Sequence, residues 1–341
     1  MRGKDMRLTT RRFLGAAAAL ALAPLAFCGA LGGLAATPAA AQEFPTRVVK
    51  LIVPFPPAGA TDIAARLIAE HLSKVWPYAM VVENRSGASG LIGTEAVARA
   101  PADGHTILMG TLATNVMAHL LQSNVPYARD AFEPAILLTS AANILMANSK
   151  VPASNLQELI VFAKANPGKV KYGSSGVGLS GHLGVELFAA AAGIKLVHVP
   201  YRGSAPSGQA FATGEVELTL GLIPQAMSAM KSAPGIKPIA IGAKERAPQF
   251  PDTPTFAELG YPNVLVYAIN GLMVPKGTPK PIIDKIHRDA LAGLKDPAIK
   301  ERMEQLGLDV IGASPKEFGE LLTDEFARWE PLIRANNIKA E

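Results

Sequence analysis

Between Arg47 and Phe55 the chain is apolar almost without interruption, with Val48, Val49, Leu51, Ile52 and Val53 broken only by Lys50. A strand that shows one face to water alternates apolar and polar residues. A run that is apolar on both faces must be covered on both, as in the parallel sheets of α/β proteins. The turn Pro54-Phe55-Pro56-Pro57-Ala58-Gly59-Ala60 follows, and then Ile63, Leu67, Ile68, Leu72 and Val75 recur at helical spacing. Thr61 or Asp62 is the expected cap of that helix. The unit is strand, loop, helix, and it fixes the class of fold.

The unit recurs. Met80 to Glu83 reads as a strand, Asn84 to Gly90 as a glycine-bearing loop, Leu91 to Arg99 as a helix, and Thr106 to Gly110 as a third strand. Alternation of this kind predicts right-handed α/β layers. With 341 residues the chain exceeds what one hydrophobic core usually organises, so two domains are expected. The crossing is placed at the strand Asn143 to Asn148, after which Ser154-x-x-Gln157 reads as a capping box and Asn166-Pro167-Gly168 as a helix end. Further strands are expected at 170–173, 196–200, 218–223, 238–242 and 268–274. Three helices then run to the C-terminus, the last opened by Ser314-Pro315-x-Glu317 and carrying Phe318, Leu321, Leu322, Phe326, Trp329 and Ile333 as core. The resulting assignment is residues 42–142 with 270–341 in one domain and 143–269 in the other. Each is doubly wound, and two crossover segments join them around a cleft.

Residues 1–41 read as an export signal: Arg2, Lys4, Arg7, Arg11 and Arg12 precede an alanine-rich apolar run, and Ala39-Ala40-Ala41 is a small-x-small cleavage pattern. Arg11-Arg12-Phe13-Leu14 resembles a twin-arginine signal without the usual spacer, and Leu25-Ala26-Phe27-Cys28 is an imperfect lipobox. Five of the 33 basic and one of the 28 acidic residues leave with this segment, so a net charge of +5 falls to 28 against 27, or +1. That balance argues against nucleic acid as a partner. Cys28, the single cysteine, leaves as well, which suits an oxidising compartment.

Ligands of open α/β sheets bind at the carboxyl ends of the strands. Four loops there are rich in small and hydroxyl residues: Ala58-Gly59-Ala60-Thr61-Asp62, Ser86-Gly87-Ala88-Ser89-Gly90, Thr111-Leu112-Ala113-Thr114-Asn115, and Gly173-Ser174-Ser175-Gly176-Val177-Gly178. Such residues are also ordinary turn formers. Several of them leading into helix N-termini, where free N–H groups and the dipole favour an anion, point instead to a carboxylate site. Arg202, after Pro200-Tyr201, is a candidate carboxylate clasp or a rim ion pair. Asp62 is read as a cap. His182 is either a ligand contact or a histidine bonded to neighbouring backbone.

Enzymatic readings lack their parts. Gly176-Val177-Gly178-Leu179-Ser180-Gly181 matches a dinucleotide fingerprint, but the following strand Leu196 to Val199 ends without an acidic residue for the ribose. No serine of residues 42–341 lies in a G-x-S-x-G elbow, and the six histidines lack metal-ligand spacing. No cofactor, metal or catalytic residue is expected, and the chain is not read as an enzyme.

Taken in order, Pro54 to Asp62, Val82 to Gly90, Ala165-Asn166-Pro167-Gly168-Lys169, Tyr172 to Gly176 with His182-Leu183, Val199-Pro200-Tyr201-Arg202-Gly203 and Pro251-Asp252-Thr253-Pro254-Thr255 resemble the Bug-type solute-binding receptors of tripartite tricarboxylate transporters. The resemblance implies a type II periplasmic-binding fold and a monomeric periplasmic receptor that passes a small organic carboxylate to membrane transporter subunits. A sensing subunit reporting such a metabolite to a membrane signalling partner is the alternative. It also implies ligand contacts from Ala58, Gly59, Thr61, Asp62, Ala88, Ser89, Thr111, Thr114, Asn115, Ser174, Ser175, Gly178, His182, Arg202 and Ala205. Three positions depart from the family pattern: Ala58 replaces a frequent glycine, Ser86 a frequent proline, and Leu179 a usually hydroxylated residue. Leu179 implies a less polar, aromatic ligand, and the scarcity of cations implies mono- or dicarboxylates over a citrate-like trianion.

Overall fold

The computed structural model describes residues 44–335 and 338. The export signal read over residues 1–41, with Cys28, lies outside the described residues. From the first of them the chain runs β1 (Val49–Val53), α1 (Ala60–Val75), β2 (Met80–Asn84), α2 (Leu91–Ala98), β3 (Thr106–Gly110), a π-helical turn at Ala113–Met117, α3 (Ala118–Leu121) and the long strand β4 (Phe132–Ala147). It continues through α4 (Leu156–Ala165), β5 (Lys171–Ser174), α5 (Ser180–Ala192), β6 (Val197–Pro200), α6 (Ser204–Thr213), β7 (Leu218–Leu222), α7 (Ile223–Ser232) and β8 (Lys237–Ile241). The last elements are β9 (Tyr267–Pro275), α8 (Lys280–Leu294), α9 (Pro297–Gln305), β10 (Asp309–Ala313) and α10 (Pro315–Ala335).

Two sheets share β4. In the first, β2, β1 and β3 are parallel, β9 runs antiparallel between β3 and β4, and β10 pairs the other side of β4. In the second, β6, β5 and β7 are parallel, and β4 runs antiparallel between β7 and β8. β4 changes sheets at one peptide: Ala142 pairs Tyr267 of β9, and Asn143 pairs Leu222 of β7. The segment after β8 returns beside that point, where Asn143 N–H donates to Val266 O (3.2 Å), Gly242 N–H to Asn143 O (2.7 Å) and Val266 N–H to Gly242 O (2.7 Å). The fold is mixed α/β, of the type II periplasmic-binding kind expected.

The unbroken apolar run in β1 is explained by burial on both faces. Val49, Leu51 and Val53 join one core with Ile68 and Leu72 of α1 and Ile286 of α8, while Ile52 joins the other. Strand β3 divides likewise, with Ile107 and Met109 on one side and Leu108 on the other. Side chains that alternate across a sheet produce this partition. Truncating the fully buried Leu51 to alanine is a change of the kind that costs about 2–5 kcal/mol. In α10, Phe318, Trp329 and Ile333 are buried and Leu321, Leu322 and Phe326 pack against them, as their spacing predicts.

Several local readings are corrected. The strand expected at 143–148 begins eleven residues earlier, at Phe132. β10, unanticipated, separates the last two of the three C-terminal helices. Helix α4 is capped by Asn155, whose Oδ1 accepts from Glu158 N–H at 2.9 Å while Glu158 accepts from Ser154 N–H at 2.7 Å; the reciprocal pair sits one residue later than the Ser154/Gln157 reading. Helix α1 begins from Gly59, and neither Thr61 nor Asp62 caps it.

Candidate functional site

Four helices leave the carboxyl ends of parallel strands: α1 after β1, α2 after β2, α5 after β5 and α6 after β6. Their N-cap residues are Gly59, Gly90, Leu179 and Gly203, and none supplies a side-chain cap. Elsewhere α4 and α9 are closed by Asn155 and Asp296, and α10 by Ser314, whose hydroxyl accepts from Glu317 N–H at 3.3 Å. An uncapped N-terminus leaves backbone donors and the positive end of the helix dipole available to an anion. Helices α3, α7 and α8 also lack a side-chain cap, so what sets these four apart is that each opens from a loop at the carboxyl end of a parallel strand, whereas α3 continues the π-helical turn, α7 follows β7 without a loop and α8 follows the antiparallel β9.

The loops are also where the backbone is strained. Among the described residues, Ala58 (φ 66°), Ala88 (φ 46°) and Ser89 (φ 53°) are the non-glycine residues at positive φ. A side chain in that region costs about 1–2 kcal/mol, and surrounding structure must impose it. For Ala58 the constraint is visible. Asp62 Oδ2 accepts from the Ala58 N–H (2.9 Å) and from Arg66 Nε (3.0 Å), and Asp62 Oδ1 accepts from Asn84 Nδ2 (2.9 Å). Asn84 Nδ2 also donates to Phe55 O (3.1 Å), and Asn84 Oδ1 accepts from Arg66 (3.0 Å). Burial pushes the Asp62 carboxyl up, but the hydrogen bonds from Arg66, the Ala58 amide and Asn84 outweigh it and hold it below the usual carboxylate range. Asp62 thus fastens the first loop to the end of β2.

The third loop is bonded internally. Thr111 and Thr114 hydroxyls lie 3.2 Å apart, Asn115 Nδ2 donates to Thr111 O and Thr114 Oγ1 at 3.0 Å each, and the Tyr127 hydroxyl donates to Thr114 O at 2.8 Å. The loop after β5 rests on two histidines. His182 Nδ1 accepts from Gly178 N–H at 3.1 Å, and Ser174 Oγ lies 2.7 Å from His198 Nε2. The rings of His182 and His198 stack at 4.1 Å, and Tyr172 stacks on His198 from the other side at 4.8 Å. Burial, reinforced by the neighbouring ring, lowers His182 to about 3, and burial lowers His198 to about 4, so both rings are neutral at pH 7. Of the two readings of His182, the structure shows the bond to neighbouring backbone.

Loops at the strand ends of the two sheets face each other. A Cβ placed on Gly176 would lie 3.9 Å from Ser89 Oγ, one on Gly203 3.7 Å from Pro56, and one on Gly178 3.1 Å from a Leu121 methyl. Ser175 Oγ donates to Ser204 Oγ at 3.3 Å, which places the β5 loop at the start of α6. Arg202 and Ala205 are exposed there, and among the described residues Arg202 has no ion-pair partner. The predicted residues therefore divide. Asp62, Thr111, Thr114, Asn115, Ser174 and His182 are bonded within the loops, whereas Ala58, Gly59, Thr61, Ala88, Ser89, Ser175, Arg202 and Ala205 are exposed or half-buried; Gly178 is a buried backbone donor to His182. Sequence reasoning missed Pro56, Leu121, Asn84, Arg66 and His198. Of these, only Asn84, at the end of a strand and the start of a glycine loop, carried a local signal. Among the described residues no group of three or more His, Cys, Asp or Glu is placed to hold a metal ion, and no helix is long and apolar enough to cross a membrane.

Fold and loops define a type II solute-binding architecture. Residues 64–338 match the tripartite tricarboxylate transporter family receptor, and the chain belongs to that family. It is 33% identical to Protein BugT of Bordetella pertussis, over 91% of this chain and 95% of that one. Among solved structures it is similar to an R. palustris protein with adipate (34% identity, TM-score 0.81, 87% of this chain and 99% of that one). It is also similar to MatC from Rhodopseudomonas palustris with bound malate (32% identity, TM-score 0.79, 85% and 100%).

Proposed function

We propose that the chain is a periplasmic receptor, not a catalyst, that captures a small organic carboxylate between its two lobes and delivers it to the membrane subunits of a tripartite tricarboxylate-type transporter. The lobes are residues 42–142 with 270–341 and residues 143–269, moving about the paired crossings where β4 changes sheets and the chain returns into β9. The observation that carries this reading is the set of four uncapped helix N-termini on loops that meet across the lobes. Backbone amides and hydroxyls hold a carboxylate there, and Arg202 supplies the exposed cation beside Ser175 and Ser204. Relatives with adipate and malate support the ligand class. A ligand touched by both lobes favours the closed form by its differential affinity. The receptor acts as a monomer and needs no cofactor.

The test is a thermal-shift screen of protein unfolded and refolded to strip carried-over ligand, against carboxylates, amino acids and nicotinamide cofactors. A carboxylate at a hundred times its Kd stabilises the fold by about 2.7 kcal/mol, a shift of several degrees. A response to carboxylates alone supports the reading. A response to a nicotinamide cofactor with none to any carboxylate defeats it.

A further inference from the structure

The strands of the second sheet share one pole. Ala147 at the end of β4 pairs Leu218 at the start of β7 and Lys237 at the start of β8, and Lys171 at the start of β5 pairs Val197 at the start of β6. Tyr172 pairs the same Leu218, so these strand ends lie together, opposite the ends of β5 and β6 that lead into the candidate site. Lysines crowd this pole. Lys150 follows β4, Lys169 precedes β5 and Lys171 opens it, Lys195 precedes β6, Lys237 opens β8, and Lys164 stands in the last turn of α4; all six are exposed. The end of α4 belongs to the pole, since Phe162 and Asn166 line a recess with Lys150, Lys169 and Glu217. Among the described residues none of the six has a carboxylate within ion-pair distance, and across residues 143–269 the described ion pair is Arg246 with Glu258. In the rest of the described chain only Arg129, Lys295 and Arg302 of the lysines and arginines lack such a partner.

Local structure accounts for part of this charge. Helices α4 to α7 end at the pole, their free carbonyls attract cations, and Lys150 Nζ donates to Gly214 O at the end of α6. Lys237 Nζ donates to Ser154 Oγ at 2.9 Å. Lys164, Lys169, Lys171 and Lys195 donate no side-chain hydrogen bond among the described residues. The carboxylates nearby, Glu158, Glu215 and Glu217, accept from Ser154 N–H, the Tyr201 hydroxyl and Lys171 N–H, and they are too few to neutralise six lysines.

We propose that this pole docks on an anionic phospholipid bilayer, which holds the protein at the membrane by charge and leaves the candidate site at the other strand ends uncovered. Clusters of about four to eight cations are what an anionic bilayer attracts. A lysine is a point charge on a flexible stem and can follow phosphates that move in a fluid surface, whereas protein interfaces favour arginine and aromatic residues and are poor in lysine. The strand ends and the end of α4 carry no arginine here, and their exposed large apolar side chains are Val161 and Val197, with no aromatic among them. The inference does not depend on which ligand the protein binds.

Flotation of protein recovered from the periplasm of expressing cells, with vesicles of phosphatidylcholine alone or mixed with phosphatidylglycerol, tests this. At about 0.05 M salt the protein should float with the anionic vesicles and not with the neutral ones, and it should be released at about 0.5 M, where screening acts within about 5 Å. The triple variant Lys164→Gln, Lys169→Gln and Lys195→Gln should lose at least about tenfold in partition, at about fivefold for each lysine that reaches the surface. Its melting temperature and its response to carboxylates should match wild type, because the three side chains have no ion pair to lose. The triple variant Lys276→Gln, Lys280→Gln and Lys316→Gln removes the same net charge elsewhere and should change partition less than about threefold. Equal retention by neutral and anionic vesicles, retention that salt does not weaken, or equal losses in the two triple variants overturns the proposal. So does the absence of retention by anionic vesicles, which leaves an acidic protein face as the partner of this pole. None of these outcomes bears on the receptor reading, which the thermal-shift screen tests separately.

Discussion

Acidification from pH 7 to pH 5 should destabilise this protein through two imidazoles that the loop after β5 requires to be neutral. The Nδ1 lone pair of His182 accepts the Gly178 amide, His198 is bonded to Ser174, and the rings stack at 4.1 Å, so a proton on either ring is poorly hydrated and a second would be repelled by the first. Burial holds the folded values at about 3 and about 4, against about 6.5 for an unperturbed histidine. Between those limits the unfolded chain binds more protons than the folded one. The stability contributed by the neutral pair is therefore complete above pH 6.5 and is lost as pH falls toward 4 and 3. At pH 5 the unfolded chain gains about 2 kcal/mol through the buried His182 and less through the partly exposed, solvent-screened His198, or about 2–4 kcal/mol for the pair.

Urea unfolding at pH 7.5, 6 and 5 measures this, with the double variant His182→Asn and His198→Gln as reference. The Asn Oδ1 retains an acceptor for Gly178 N–H and the Gln amide a partner for Ser174, and neither titrates. Tyr172, which stacks on His198, and Glu186, to which its hydroxyl donates at 2.5 Å, are present in both proteins and cancel. Wild type should lose about 2–4 kcal/mol relative to the double variant between pH 7.5 and pH 5. A difference that stays constant across that range refutes the argument, because it would mean that the rings accept protons as readily folded as unfolded.

Asp62→Asn should cost about 1–3 kcal/mol in urea unfolding, because the amide turns a donor toward Arg66, Asn84 or the Ala58 N–H, all of which already donate to this position. An unchanged midpoint would show that the first loop does not depend on this network. Ala58→Gly should stabilise by up to about 1 kcal/mol, because relief of the positive φ exceeds the entropy that glycine adds to the unfolded chain; a lower melting temperature would contradict it. Glu325→Ala should cost about 3 kcal/mol or more. The buried carboxylate accepts from the Tyr267 hydroxyl (2.7 Å), Trp329 Nε1 (2.9 Å) and Arg328 (2.7 Å), tying α10 to the start of β9, and a loss below 1 kcal/mol by chemical unfolding would contradict that role.

The elements that sequence reasoning found are those whose burial leaves a periodic trace. β1 and β3 are apolar on both faces because helices and strands cover both, and α10 repeats its buried residues at helical spacing. The trace fails where context decides. Phe132 to Ala142 contains Pro134, Thr139 and Ser140 and reads as a connection, yet it pairs β9 along its length and β10 between Leu137 and Ser140. β10 is five residues long, includes Gly312 and has no fully buried side chain, so it is visible only through its partner. At the start of α4, Ser154 and Asn155 are equally good caps by composition, and Glu158 decides between them by its reach back to Ser154 N–H.

The candidate site was legible as loops and illegible as a set of contacts, for one physical reason. A carboxylate held by backbone amides and hydroxyls marks the sequence only with the glycine, serine and threonine that shape the turns, and such turns occur in every α/β protein. The side chains with the most distinctive chemistry, Asp62, Asn84, His182 and His198, spend it inside the protein on the Ala58 amide, the Phe55 carbonyl, the Gly178 amide and the Ser174 hydroxyl. The residues that meet across the lobes, Pro56 against Gly203 and Leu121 against Gly178, lie far apart in the chain and belong to types that advertise nothing. On the proposed reading, substitutions in the buried polar set should therefore weaken every acid together, because they move the backbone donors that hold the carboxylate.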